Sequence, residues 1–142
     1  MRTGELFALT WDNVDLEQGL ISVKFSWSKK AGLKETKSYN DRVVDIAPRL
    51  LETLKELKAG NPDSHFVLPR SRDWEKGEQA RVLRTFLVGI GLRPVRFHDL
   101  RATFCTLLLI KGVEPIKVMV LGGWKNMKTM QAYMRTAGVE VR

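Results

Sequence analysis

The chain has 142 residues, 44% of them hydrophobic and 28% charged, which is typical of one globular domain large enough to bury a core. Its single cysteine excludes an internal disulfide and fits a reducing compartment. No apolar run approaches the roughly 18 residues that a membrane span needs, and the first residues, "MRTGELFAL", lack the apolar stretch of a signal peptide. We therefore expect a cytoplasmic protein with no membrane partner.

The net charge of +8 is concentrated towards the end of the sequence. Residues 1–80 hold 13 basic and 13 acidic side chains, whereas residues 81–142 hold 11 basic and 3 acidic ones. Such an excess indicates a positive surface for a polyanion. The alternative is a solubilising surface, and charge alone does not separate DNA, RNA and acidic lipid as partners.

The first half of the sequence predicts helices flanking a small sheet. Thr3 can cap a first helix, "TGELFALT", that buries Leu6, Phe7 and Leu9. Three strands are predicted, "ISVKFSW", "KETKSY" and "RVVDIA", the last two joined around Asn40-Asp41 in an antiparallel sheet. A second, amphipathic helix, "PRLLETLKELKAG", follows, and "DWEKGEQ" is polar enough to be a loop.

The second half predicts helices alone. Residues 79–90 form one that buries Val82, Leu83, Phe86 and Leu87. A strongly apolar helix runs from His98 to Lys111, and "EPIKVMVLGG" and "KTMQAYMR" give two shorter ones. The expected fold is therefore α+β and mostly helical, with several helices packed around a small three-stranded antiparallel sheet in one compact unit.

The sequence lacks the motifs of several common metal and nucleotide sites, which excludes some classes of reaction. Two histidines and one cysteine cannot supply the common zinc sites, and no phosphate-binding P-loop motif is present. Gly89-Ile90-Gly91 begins like a dinucleotide fingerprint, but Pro94 occupies the place of the third glycine. The basic region offers only Asp99, Glu114 and Glu140 to a two-metal nuclease site. Chemistry without a metal ion is favoured.

His98 and Arg101, in "FHDLRATF", are three residues apart and lie on one face of a predicted helix. A guanidinium suits phosphate oxygens, and an imidazole can exchange protons near neutral pH. On its own the pair is a weak signal and is more typical of an ordinary solvated face than of a site.

Other motifs accompany this pair in a definite order. Arg2 precedes Glu5 by three residues, Lys37 lies in the hairpin "TKSYNDRVVDI", and Tyr133 follows Trp124 by nine residues. The ordered set resembles the catalytic domain of the tyrosine recombinases, or phage integrases, over nearly all 142 residues. The stretches "GGWKN" and "YMR" are most similar to the Cre-type branch of that family.

The resemblance implies site-specific DNA recombination or integration through a 3′-phosphotyrosyl intermediate, with Tyr133 as nucleophile. Arg2 and Arg101 would bind the non-bridging phosphate oxygens, Lys37 would protonate the departing 5′-oxygen, and His98 would act as general base or proton relay. Trp124 would take a position that more often holds histidine, where its N–H donates a hydrogen bond without exchanging protons. Glu5 would brace Arg2 or His98. The chemistry implies no cofactor, neither ATP nor metal.

Simpler interpretations stay open for each residue. Arg2 could be a terminal surface charge, and Lys37 has neighbouring lysines at positions 29, 30 and 34. Trp124 and Tyr133 could be core aromatics. Four further basic residues would contact DNA phosphates or simply be surface charges: Lys117, Lys125, Lys128 and Arg135.

The resemblance implies double-stranded DNA as partner, a nucleoid-associated protein of a mobile element, and a recombinase tetramer on DNA for the full-length protein. The chain begins almost at the first catalytic arginine, so we expect an N-terminally truncated domain, residues 1–142, without a core-binding domain. Such a fragment is expected to bind DNA weakly and not to recombine DNA alone. One alternative is a catalytically incompetent, DNA-binding remnant of an integrase. A less favoured alternative is an enzyme that cleaves strands like a type IB topoisomerase.

Overall fold

The computed structural model describes residues 1–36 and 41–139, and contacts between α-carbons divide the chain into two compact units. Arg2–Gly77 form the N-terminal unit and Glu78–Arg142 the C-terminal unit. The N-terminal unit contains three α-helices and five strands within its described residues. They are α1 (Thr3–Ala8), β1 (Val14–Asp15), β2 (Leu20–Val23), β3 (Phe25–Ser28), β4 (Gly32–Glu35), β5 (Arg42–Asp45), α2 (Pro48–Gly60) and α3 (Arg72–Glu75).

The strands form two antiparallel sheets. One is three-stranded in the order β1-β2-β5, and the other is the β3-β4 hairpin. The three-stranded sheet is confirmed, but its predicted membership is wrong, because "ISVKFSW" is divided at Lys24. The Lys24 carbonyl accepts hydrogen bonds from the backbone N–H (2.7 Å) and hydroxyl (3.0 Å) of Thr36, so β2 continues towards β5 while β3 pairs with β4. Asn40, in the predicted turn, lies outside the described residues.

The core of the N-terminal unit is built around Phe7 of α1. Its fully buried ring stacks on Trp74 at 5.0 Å between centroids and meets Trp27 of β3 edge-on at 4.9 Å. Trp74 belongs to α3, so the prediction of a loop there is wrong. The indole supplies a large apolar area to bury, and that burial stabilises a short helix within an otherwise polar stretch.

Helix α1 begins one residue earlier than predicted. Arg2 occupies the N-cap position, and Thr3 lies inside the helix and makes no capping hydrogen bond. The N–H of Arg2 is instead satisfied by the carboxylate of Glu5, which accepts it at 2.8 Å. The predicted burial of Phe7 and Leu9 is confirmed, and Leu6 is half-buried.

The described residues of the C-terminal unit contain helices joined by loops and no strand. These helices are α4 (Gln79–Gly89), α5 (Phe97–Ile110), α6 (Pro115–Gly122) and α7 (Met127–Thr136). Buried Cys105 and Leu109 of α5, Val118 of α6 and Met130 of α7 form its core. The four predicted helices are confirmed, but Phe86 of α4 is 60% exposed rather than buried.

The architecture is α+β and mostly helical, as predicted. Among the described residues, no helix combines the length and apolar character needed to cross a membrane.

Candidate active site

The first turn of α5 carries His98 and Arg101. Pro94 precedes this helix, and Asp99 caps its N-terminus by accepting hydrogen bonds from Arg96, from the backbone N–H at 2.8 Å and from Nε and Nη2 at 3.1 and 2.8 Å. These bonds from Arg96 lower the pKa of the Asp99 carboxyl from 3.8 to about 2. The capping pair therefore fixes where the helix starts, and so where His98 and Arg101 stand.

The side chain of Arg101 lies against the end of helix α6. Its Nη2 donates a hydrogen bond to the carbonyl oxygen of Gly122 at 2.5 Å, and its guanidinium carbon lies 4.0 Å from the centroid of the Trp124 ring. Stacking on an indole together with an anchored N–H holds a planar guanidinium in one orientation. His98, three residues before Arg101 in the same helix, is exposed to solvent.

Trp124 connects Arg101 to Tyr133. The Trp124 and Tyr133 rings meet edge-on, with centroids 5.7 Å apart and planes at 65°. Both side chains are half-buried and pack against the core that contains Met130. Arg101, Trp124 and Tyr133 therefore form one cluster of side chains, which we call the aromatic–guanidinium cluster.

Tyr133 stands on α7, one turn before the helix ends. The helix begins at an N-cap, Asn126, whose side-chain oxygen accepts the N–H of Lys128 at 2.8 Å, and it is anchored by the fully buried Met130. Among the described residues, no hydrogen-bond partner is found for the Tyr133 hydroxyl. This phenol is held through its ring, with its oxygen not engaged by a core residue.

The basic residues predicted to contact phosphate are all exposed. They are Lys117 on α6, Lys125 between α6 and α7, and Lys128 and Arg135 on α7. Their positions fit phosphate contacts and an ordinary charged surface equally well.

The N-terminal unit holds a buried ion pair between Glu5 of α1 and Arg42 of β5. The two side chains are 2% and 4% exposed, and Arg42 donates hydrogen bonds from Nη1 to Oε1 at 3.0 Å and from Nη2 to Oε2 at 2.8 Å. Burial acts to raise the pKa of Glu5, but the hydrogen bonds from Arg42 and from the N–H of Arg2 outweigh it and lower that pKa below 4.5.

Arg2 is the second partner of Glu5. Besides the backbone hydrogen bond, Nη1 of Arg2 lies 3.5 Å from Oε1 of Glu5, while the arginine side chain stays 45% exposed. Within this unit Glu5 therefore contacts Arg2, and its role in positioning that arginine stays a prediction. Lys37 lies outside the described residues.

Sequence reasoning missed Arg42 as a partner of Glu5. Glu5 lies between Gly4 and Leu6 in a helix whose other buried residues are apolar, and a buried carboxylate requires a compensating charge. That requirement predicts a basic partner. It does not say which of the basic residues of the sequence supplies the charge.

A family model and individual relatives both connect this chain with the tyrosine recombinases. The family model described as "Phage integrase family" matches residues 1–138. The chain is 28% identical over 141 residues to tyrosine recombinase XerD of Vibrio cholerae, covering 96% of this chain and 45% of that protein. It is 29% identical over 150 residues to tyrosine recombinase XerA of Thermococcus kodakarensis, covering all of this chain and 49% of the relative.

Solved structures share the fold. The Tn1549 transposon integrase in complex with transposon right end DNA superimposes with a TM-score of 0.74 at 18% identity, over 94% of this chain and 50% of the integrase chain. A crystal structure of XerA recombinase gives a TM-score of 0.73 at 23% identity, over 99% and 47% of the two chains. The chain thus spans about half the length of the proteins that it matches.

Proposed function

Because the chain belongs to the phage integrase family, we propose that it is the catalytic domain, residues 1–142, of a tyrosine recombinase. Its substrate is double-stranded DNA, which it cleaves and rejoins at a specific site during recombination or integration. In a full-length protein the domain assembles with other recombinase subunits as a tetramer on DNA, and it is associated with the nucleoid of the cell.

Tyr133 is the proposed nucleophile. Its phenolic oxygen attacks the phosphorus of a phosphodiester, an ester bond to Tyr133 forms on the 3′-phosphate, and the bond to the 5′-oxygen breaks. The departing oxygen takes up a proton and leaves as a 5′-hydroxyl, and attack by a 5′-hydroxyl reverses the step. The phosphodiester energy is kept in the protein–DNA bond, so the proposal needs neither ATP nor a metal ion.

The other residues supply charge and protons. A phenol has a pKa of about 10 in water, so it needs a base, and His98 takes or relays its proton. Arg101 and Arg2 bind the non-bridging oxygens and stabilise the charge that grows on phosphorus. Lys37 donates the proton to the 5′-oxygen, and Trp124 and Glu5 position the two arginines.

One observation carries this proposal beyond family membership. The aromatic–guanidinium cluster places an oriented guanidinium, from Arg101, and a phenol, from Tyr133, in contact with one and the same indole. A guanidinium fixed before the reaction stabilises developing phosphate charge without reorganising. Two separate core aromatics and an unrelated surface arginine would not need this shared contact.

The experiment is trapping on a suicide substrate. The purified chain is incubated with a pool of labelled duplexes of randomised sequence, each nicked close to the possible cleavage positions. After cleavage the short fragment with the 5′-hydroxyl diffuses away, so the covalent adduct accumulates. Adducts are isolated under denaturing conditions, and their sequencing also gives the preferred site.

We expect an adduct from the unaltered chain that persists in EDTA and disappears with Tyr133→Phe. The matched control is Tyr39→Phe, which removes the other tyrosine hydroxyl of the sequence and should leave the adduct. Salt-sensitive DNA binding without any adduct would instead indicate a DNA-binding remnant. An adduct that survives Tyr133→Phe would reject the nucleophile.

A further inference from the structure

Two consecutive glycines end helix α6, and they differ in backbone conformation. Gly123 is the C-cap, with a φ of 69° in the left-handed region that favours glycine. Gly122 is the last helical residue and is not among the described residues with positive φ. Helical backbone accepts any ordinary residue, so the conformation of Gly122 does not explain why position 122 lacks a side chain.

The space around Gly122 does explain it. A Cβ atom built there would lie 1.7 Å from Cζ3, 2.1 Å from Cε3 and 2.7 Å from Cη2 of Trp124. All three atoms belong to the six-membered ring of the indole, and the residue that carries it is anchored because the backbone N–H of Trp124 donates to the carbonyl of Met119 at 2.9 Å. The indole therefore occupies the volume that any side chain at position 122 would fill.

Gly122 also contacts the guanidinium. Its carbonyl oxygen accepts the hydrogen bond from Arg101, while the indole that lies over Gly122 stacks on the same arginine. A displacement of the indole would remove the stacking surface of Arg101 and change the edge contact with Tyr133. The positions of the Arg101 guanidinium and the Tyr133 ring thus depend on residue 122 having no side chain.

We infer that Gly122 is a positioning residue: it forms the seat for Trp124 and, through that indole, sets the orientation of Arg101 and Tyr133. Position 122 and position 124 are consequently coupled, since a bulky indole at 124 requires glycine at 122. The packing part of this inference stands on the contacts alone. Its effect on strand cleavage rests on the proposed function.

The coupling is tested with Gly122→Ala and Trp124→His, separately and together. Imidazole has no six-membered ring, so the atoms that a Cβ would overlap are absent in Trp124→His. With Trp124 present, we expect Gly122→Ala to lower the Tm by about 5 °C or more, because overpacking a formed contact is destabilising. In the Trp124→His background, the same alanine should leave the Tm unchanged or raise it slightly, since alanine favours helix.

Adduct formation on the nicked substrate provides the second readout. Gly122→Ala alone should slow it by at least about tenfold, because an arginine displaced from its orientation stabilises the phosphate poorly. In the Trp124→His background, adding Gly122→Ala should change the rate by less than about threefold, even if Trp124→His alone is slower. If Gly122→Ala alone does not fold, the double variant still tests the coupling, because we expect it to fold and to form the adduct at nearly the rate of Trp124→His.

Gly89→Ala is the matched control. Gly89 is likewise the last helical residue of its helix, α4, and a Cβ there would meet nothing within 4 Å. We expect no loss of Tm or adduct from it. A Gly122→Ala effect of equal size in both backgrounds, or no effect in either, would overturn the inference. If the unaltered chain forms no adduct, the proposed function fails, while the four Tm values still decide whether Gly122 seats the indole.

Discussion

Arg42 and Glu5 are joined by two parallel hydrogen bonds, 3.0 and 2.8 Å long, although they lie 37 positions apart in the sequence. The pair connects the first residue of β5 to the first turn of α1. The Glu5 carboxylate also accepts a hydrogen bond from the backbone N–H of Arg2. Almost none of either side chain reaches solvent. The start of α1 is therefore attached to the three-stranded sheet by this ion pair, whereas Phe7 attaches the helix to Trp27 of the β3-β4 hairpin and to Trp74 of α3.

We predict that Arg42→Met destabilises the protein strongly. It leaves the Glu5 carboxylate buried without its main partner, and breaking a buried pair in this way costs about 3–5 kcal/mol. Urea unfolding followed by circular dichroism measures the loss. Arg49→Met, which removes an exposed arginine from α2, is the control and should change the free energy of unfolding by less than about 0.5 kcal/mol. Equal losses from the two variants would contradict a buried ion pair at Arg42.

The same pair predicts acid sensitivity. The pKa of Glu5 is lower in the folded chain than its ordinary value of 4.5, so the folded state binds fewer protons than the unfolded state. Stability from this group is fully present above pH 4.5 and is lost as the pH falls through the lowered pKa of the folded state. The free energy of unfolding, measured between pH 7 and pH 3, should therefore decline below about 4.5. Glu5→Gln, less stable at neutral pH, should show a smaller decline, and an unchanged decline would assign the effect to other carboxyls.

Local signals allowed most helices to be placed from the sequence. The predicted second helix, "PRLLETLKELKAG", has the observed bounds of α2, Pro48 to Gly60, and its start follows from Pro48, because the fixed φ of proline suits the first helical position. The alternation of apolar and polar residues likewise predicted strands, but it carries no information about which strands pair with each other. The predicted strand "ISVKFSW" is divided at Lys24, and its two parts pair with different strands, β5 and β4, which the alternation could not show.

In the candidate site, too, local features could be predicted from the sequence, whereas contacts between helices could not. The spacing of His98 and Arg101 predicted one helix, and both lie in α5. The contact of Arg101 with Trp124, and the seat that Gly122 provides, depend on how α5, α6 and α7 pack, which no spacing encodes. Arg42 was missed for a related reason: its partner lies on an element distant in sequence.

We predict that Arg101→Lys reduces adduct formation by about 100-fold or more. A lysine ammonium is a compact charge that cannot present two parallel N–H groups to a phosphate or stack flat on the Trp124 ring. The rate is measured on a nicked duplex selected from the trapping experiment. Arg135→Lys, at an exposed position of α7, is the matched control and should stay within a few-fold of the unaltered chain. Equal rates for the two variants would place Arg101 outside the reaction.

We predict that the basic C-terminal unit determines how DNA binding responds to salt. Each cation that neutralises a DNA phosphate adds about 0.9 to the slope of log affinity against log salt, through release of counterions. Lys128→Ala, at the exposed start of α7, should weaken binding to all sequences alike and reduce that slope by about 1, as measured by fluorescence anisotropy from about 50 to 200 mM salt. Lys55→Ala, which removes an exposed lysine from α2 in the charge-balanced first half, is the control and should leave the slope unchanged. A slope that responds equally to both substitutions would mean that the contact surface is not confined to the basic end of the chain. A slope that responds to neither would make Lys128 an ordinary surface charge.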